Sequence, residues 1–270
     1  MRLSFVLFAL AACSSPSPVT PDGARARPDS PRAPDAAGDA PSRDAPPAAD
    51  LACLGQAPPS TAPDPLALDG KVFGVDHYAL SPFAGAVVTL HRRSDDAVLV
   101  TSLPSGTDGT YELAAATGGD ALDAYFTITA TGMLPVRVDP GDPLTTGYYA
   151  LAVVAASDEV ARWYADAGAA YSSDARTLIS VAVDCDEAAI DGATVAIAPS
   201  AQVTYYDSAA SRWNPAATSS TNGFALVTGG AATESATVGW LGTTFPAHAA
   251  TAPAGTVTLA VASPHATATD

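Results

Sequence analysis

Thr107-Asp108-Gly109-Thr110-Tyr111-Glu112-Leu113 is a tight turn running into a strand, and the chain repeats the device as Thr221-Asn222-Gly223-Phe224-Ala225-Leu226. Asp-Gly and Asn-Gly are strong turn dipeptides because Asp, Asn and Gly tolerate positive φ. The aromatic that follows each one starts a return strand. Upstream of the first copy stands Ala84-Gly85-Ala86-Val87-Val88-Thr89-Leu90, and upstream of the second Asp191-Gly192-Ala193-Thr194-Val195-Ala196-Ile197. Downstream come Phe126-Thr127-Ile128-Thr129-Ala130-Thr131-Gly132-Met133-Leu134-Pro135 and Ala236-Thr237-Val238-Gly239-Trp240-Leu241-Gly242-Thr243-Thr244-Phe245-Pro246. Three blocks recur in one order at similar spacing, which reads as two halves built on one plan.

Alternating apolar residues between turn signals predict strands whose inward side chains face a core. In the first half they fall near 67–73, 84–90, 97–102, 110–115, 123–131, 134–138 and 146–154. In the second they fall near 177–183, 193–198, 201–207, 222–228, 235–241, 244–249 and 256–262. One segment departs from this pattern. Ser157 suits a helix cap, Asp158 and Glu159 suit the positive end, and Val160, Trp163 and Tyr164 share a face. Gly168 suits its stop, so one helix near 158–167 is expected to join the halves, with Trp163 and Tyr164 packed into the junction. The expectation is all-β: two tandem seven-stranded β-sandwiches with separate cores and one short connecting helix, and no single continuous sheet.

The blocks Leu68-Asp69-Gly70-Lys71-Val72, Ala84–Leu90, Thr107–Leu113 and Ala130-Thr131-Gly132-Met133-Leu134-Pro135 resemble the carboxypeptidase regulatory-like domains, a transthyretin-like, prealbumin-type β-sandwich family. The match covers about 66–140 and, more weakly, 177–262. Met133 stands where the family prefers an aromatic, and Asn222 replaces the acid in the second copy. The resemblance implies transthyretin-like or Ig-like sandwiches and a non-catalytic accessory module.

The N-terminus carries a different signal. Arg2 precedes the short apolar run Leu3–Ala9, and Leu10-Ala11-Ala12-Cys13 follows, the layout of a secretory signal. The last four residues resemble the lipobox of bacterial lipoproteins, which implies lipidation of Cys13 and a membrane partner reached through the N-terminal lipid. Ser14 after the cysteine implies the outer membrane under the enterobacterial sorting rule. From Ser14 to Asp50 the chain is nearly all Pro, Ala, Ser, Asp and Arg, with no aromatic residue, and it cannot offset its ordering entropy by burial. The resulting division is a signal peptide over 1–12, lipidated Cys13 with a disordered linker over 13–50, and a first sandwich over 51–155. A helix and linker over 156–175, a second sandwich over 176–264 and a disordered tail over 265–270 complete it.

The net charge is −16, and −15 of it lies from Leu51 onward. Such a surface repels nucleic acid, which is excluded as a partner. With Cys13 lipidated, Cys53 and Cys185 remain, and in an exported protein they read as one bridge. The bridge would close a loop of over a hundred residues, worth on the order of 4 kcal/mol in the chain-entropy model.

Signals for chemistry are sparse. His77, His91, His248 and His265 show no zinc spacing and read as surface or edge histidines, with His265 in the tail. The pairs Tyr148-Tyr149 and Tyr205-Tyr206 lack the histidines of an iron dioxygenase site. No G-x-S-x-G elbow and no nucleotide-binding glycine motif occurs. Asp184, Asp186, Glu187 and Asp191 would supply part of a calcium site but lack EF-hand spacing. No catalytic residue, metal or cofactor is therefore assigned. Trp213 falls in an apparent loop beside Arg212 and the Tyr205-Tyr206 strand, and these four are the candidate ligand contacts, for a carbohydrate or protein. The functional expectation is a non-enzymatic outer-membrane lipoprotein of the cell envelope, displaying two modules for structural, adhesive or ligand-binding roles. The alternative is a carbohydrate- or peptide-binding accessory protein of a secreted enzyme.

Overall fold

A computed structural model describes residues 49–146 and 149–266. The signal segment, Cys13 and almost all of the linker lie outside the described residues, as do 147–148 and 267–270.

The first half carries β1 (Leu66–Asp76), β2 (Ala79–Pro82), β3 (Val87–Arg92), β4 (Val98–Thr101), β5 (Thr110–Ala115), β6 (Ala124–Thr129), β7 (Val136–Asp139) and β8 (Tyr149–Ala155). Helix α1 (Ser157–Asp166) follows. The second half carries β9 (Thr177–Ala182), β10 (Thr194–Ala198), β11 (Gln202–Asp207), β12 (Arg212–Asn214), β13 (Phe224–Thr228), β14 (Thr233–Trp240), β15 (Thr243–Thr244), β16 (His248–Thr251) and β17 (Val257–Ala262). Every expected strand is present; the one expected near 244–249 divides into β15 and β16. The sequence did not announce β2 and β12.

Strand pairing repeats with the sequence blocks. β1 lies antiparallel to β5 and parallel to β8, as β9 lies antiparallel to β13 and parallel to β17. β3 pairs with β6 as β10 pairs with β14. The two turn dipeptides hold equivalent places. Gly109 and Gly223 take φ of +78° and +80°. Their carbonyls accept the N–H of Val72 and Ala182, each at 2.9 Å. A Cβ at either glycine would collide with the carbonyl oxygen of that same strand residue. Only glycine meets both demands.

Each half is a sandwich. In the first, β8-β1-β5, with β2 extending the β1 pairing, faces β4-β3-β6-β7; in the second, β17-β9-β13-β11-β12 faces β10-β14 with β15 and β16. The expectation of separate cores is corrected: the described strands form three sheets rather than a single one, but one of the three runs through both halves. β7 pairs in parallel with β17, from Val136↔Val257 to Asp139↔Ala260, and joins two sheets into one of nine strands. The physical reason is the open edge of β7. Its outward N–H and C=O groups need partners, and β17 supplies them while covering Val136 and Val138. Burying each such valine contributes about 1.5–3 kcal/mol.

One face of the nine-stranded sheet carries Val88, Leu90, Phe126, Ile128, Val136 and Val138 from the first half, with Ile179, Val181, Leu226 and Val257 from the second. These belong to one core together with Leu66, Leu68 and Val72 of β1 and Val160, Trp163 and Tyr164 of α1. The opposite face of the second half, through Leu178, Ala225 and Val227, packs on β10, β14 and β16. Trp163 and Tyr164 therefore do pack where the halves meet.

α1 begins one residue earlier than expected. Ala156 is its N-cap, and Ser157 is helical and bonds the Tyr171 hydroxyl (3.0 Å) rather than capping. Its end follows the expectation: Gly168 N–H bonds Ala165 O and Ala169 N–H bonds Tyr164 O, a Schellman close.

Candidate functional site: a cleft at the ends of three parallel strands

β7, β17 and β9 are neighbours and run parallel, so the segments leaving their carboxyl ends emerge together. They wall a cleft of about 350 Å³, within the range of small-ligand sites. Val138, Val181, Leu259 and Val261, on one face of the sheet, make an apolar floor. Asp142 follows β7, Ser263 and His265 follow β17, and Asp184 and Glu187 follow β9.

Asp142 links two of the walls. The Ser263 hydroxyl donates to its Oδ1 (2.9 Å), and His265 Nδ1 lies 2.7 Å from its Oδ2. Both groups meet the carboxylate and neither bond joins the hydroxyl to the imidazole, so the trio is not arranged as a nucleophile with its base. His265 is thus part of the body, which corrects its placement in a disordered tail.

Asp184 organises its own loop. Its Oδ1 accepts the N–H of Asp186 (3.0 Å) and Ala188 (2.9 Å), and its Oδ2 accepts that of Asp50 (3.1 Å). Cys185 is joined to Cys53 by a disulfide, and Cys185 N–H donates to Asp50 O (2.8 Å). The bridge spans 132 residues and fastens the start of the body to the cleft wall. Of the acidic cluster read from the sequence, Asp184 is thereby a loop clamp, with its two oxygens already held by backbone donors. Glu187 stands apart. It is open to solvent on its outer side, yet its surroundings, and then the charge of Asp142, push its carboxyl above the ordinary range. Among the described residues no donor meets its carboxylate.

The four expected ligand contacts do not converge, and Trp213 is not at a loop tip. It sits on β12, 5% exposed, with its ring edge-on to Tyr206 at 5.5 Å. The hairpin that buries it is held by Asp207, whose carboxylate accepts from Ala209 N–H, Ala210 N–H and Asn214 Nδ2 and is held below its usual pKa by those bonds. Tyr205 faces the other way, its hydroxyl taking the Val195 N–H at 2.9 Å. Arg212 alone is exposed. A strand only three residues long carries too little pattern to be told from a loop. His248 is likewise not at the surface: it is buried and bonds Ser263 O at 2.8 Å.

Asp76, His77 and Glu159 bring potential metal ligands within 4.8 Å of one another. Glu159, however, accepts from His77 N–H (3.0 Å), Tyr78 N–H (3.2 Å), Trp163 Nε1 (2.9 Å) and Arg162 Nε (3.2 Å). His77 and Tyr78 form the β1–β2 turn at φ of +50° and +62°. Four donors around one carboxylate describe a held anion, and its role is to pin that strained turn to α1.

Among the described residues no helix is long and apolar enough to cross a membrane. No protein-family model matches the chain, and no curated protein matches it. The chain is similar in structure to the Bacillus anthracis TIE protein, at 9% identity and a TM-score of 0.24, covering 73% of this chain and 34% of that one. It is similar to the shaft pilin of Lactobacillus rhamnosus GG at 11% identity and TM-score 0.24, covering 74% and 98%. For the minor pilin of Streptococcus agalactiae the figures are 11% and 0.21, covering 76% and 98%. The chain thus spans about a third of the length of the first of these. At such values the likeness assigns no function, and the β-sandwich fold rests on the strand pairings themselves.

Proposed function

We propose that this chain is a lipid-anchored, non-enzymatic protein of the cell envelope that displays two joined β-sandwiches for structural, adhesive or ligand-binding use. The observation that carries the reading is the Cys53–Cys185 disulfide, because such bonds persist in oxidising compartments outside the cytoplasm. The residues Leu10-Ala11-Ala12-Cys13 supply the anchor, and Ser14 directs it to the outer membrane. An anchor with two or more acyl chains holds stably, whereas one holds marginally. The Pro- and Ala-rich linker spaces the body from the bilayer. The modules are of the carboxypeptidase regulatory-like kind, supported by the repeated turn blocks and their equivalent pairings. On this reading the Ser263–Asp142–His265 cluster is a structural link between strand ends.

Expression of the full chain in a Gram-negative host tests the anchor. The protein should partition with detergent, and mass spectrometry should find an acylated Cys13 as first residue. Cys13→Ala should release a folded body with its disulfide intact. An unmodified N-terminus on the membrane-extracted protein would overturn the reading.

A further inference from the structure

We propose that the cleft beyond β7, β17 and β9 binds a ligand carrying a protonated amine or guanidinium on an apolar stem. This goes beyond the envelope reading and does not depend on the anchor. Three observations on the cleft agree. Its volume, about 350 Å³, suits a small molecule or one or two side chains. Its floor of Val138, Val181, Leu259 and Val261 offers an apolar stem a surface free of competing polar groups. Among the described residues its lining contains Asp142, Asp184 and Glu187 and neither lysine nor arginine.

The nearby arginines are engaged elsewhere. Arg93 and Arg137 both bond Asp139, whose oxygens lie 2.7–3.1 Å from their nitrogens, and so neutralise the carboxylate that ends β7. Asp184 is held by three backbone N–H groups and Asp142 by Ser263 and His265. Among the described residues that leaves Glu187 as the cleft carboxylate that no donor meets, beside the like charge of Asp142. A cation entering with its stem over the valines would sit between these two acids. It would offset the burial, and then the charge of Asp142, that raise the Glu187 carboxyl. A neutral ligand of the same shape would gain only the apolar contact, and an anion would be repelled.

The same head and stem occur in free arylalkylamines and in basic side chains of extended peptides. The test therefore uses phenethylamine, its neutral counterpart phenethyl alcohol, and N-acetyl-phenylalanyl-arginine amide. Each is titrated into the isotopically labelled full chain at neutral pH while amide shifts are followed. Both cations should shift residues 141–145, 184–187 and 263–265, and the alcohol should bind at least about fivefold more weakly. Glu187→Gln should weaken both cations by about fivefold and leave the alcohol unchanged. Its position on an exposed turn keeps the fold, which the melting temperature verifies. Thr145→Trp, which fills the cleft, should abolish the shifts. A peptide affinity well above that of the amine assigns a peptide source, and equal affinities assign a free amine. Equal binding of amine and alcohol, shifts outside the cleft, or no binding of either cation would overturn the proposal. Cys13→Ala protein should bind equally, so failure of the anchor and failure of this site are separable.

Discussion

Two neighbouring regions of the nine-stranded sheet share Phe224 and Leu259 yet end differently. Under α1 the surface is closed. Trp163, Tyr78, Tyr206 and Trp213 leave only a small apolar gap, and the Glu159 carboxylate meets four donors. Beyond the ends of β7, β17 and β9 the same face is open, and Glu187 meets none among the described residues. The apolar flooring is alike in the two places. What differs is whether a covering element brings donors to the acid. A buried carboxylate persists where its partners come with it, and a carboxylate left without partners borders a space that a ligand is able to enter.

The largest loss is expected at the wall of the open region. Replacing Cys53 and Cys185 by serine frees a loop of 132 residues and should lower stability by on the order of 4 kcal/mol, read as a drop in the urea midpoint. Glu159→Ala attacks the closed region. It leaves two turn N–H groups and the Trp163 indole without an acceptor, and about 3 kcal/mol should be lost in the same assay.

A third carboxylate sharpens the rule. Glu234 of β14 is 2% exposed, and among the described residues neither oxygen makes a well-formed hydrogen bond, the Ala231 N–H being the donor beside them. Burial raises its pKa above the ordinary 4.5. A carboxyl whose folded pKa is raised favours the folded state at pH values below its unfolded pKa, and that contribution is lost as pH rises through the folded pKa. Glu234→Gln should therefore stabilise the body by about 1–2 kcal/mol at pH 7, and the gain should vanish below about pH 4.5. Melting temperatures at the two pH values check both halves of the statement. Smallest of all, Glu187→Gln should change stability by less than about 0.5 kcal/mol, because the open region asks nothing structural of it.

Much of this architecture could be read in advance from particular residues. Asp108-Gly109 and Asn222-Gly223 announce their turns because the backbone demand there is local. Gly168 and the Trp163–Tyr164 face announce α1 for the same reason. The β1–β2 turn could not be read, since His77 and Tyr78 take left-handed backbones only because Glu159, over 80 residues away, accepts their N–H groups. The join of β7 to β17 was hidden as well: alternating valines look the same on a free edge and on a paired one. The cleft was legible only in part. Asp184 and Glu187 stood out as an acidic cluster, but Asp142 and His265 come from strand ends 123 residues apart. Trp213 misled because one aromatic in a three-residue strand carries no period.

The central claim is that two duplicated sandwiches are welded into one body through β7 and β17. Native-state hydrogen exchange in low urea tests it most directly, comparing amides of β3 in the first half with those of β9 in the second. The weld predicts that both sets open only with global unfolding, at free energies within about 1 kcal/mol of each other. Opening of one half at a clearly lower free energy, with the other still protected, would contradict it.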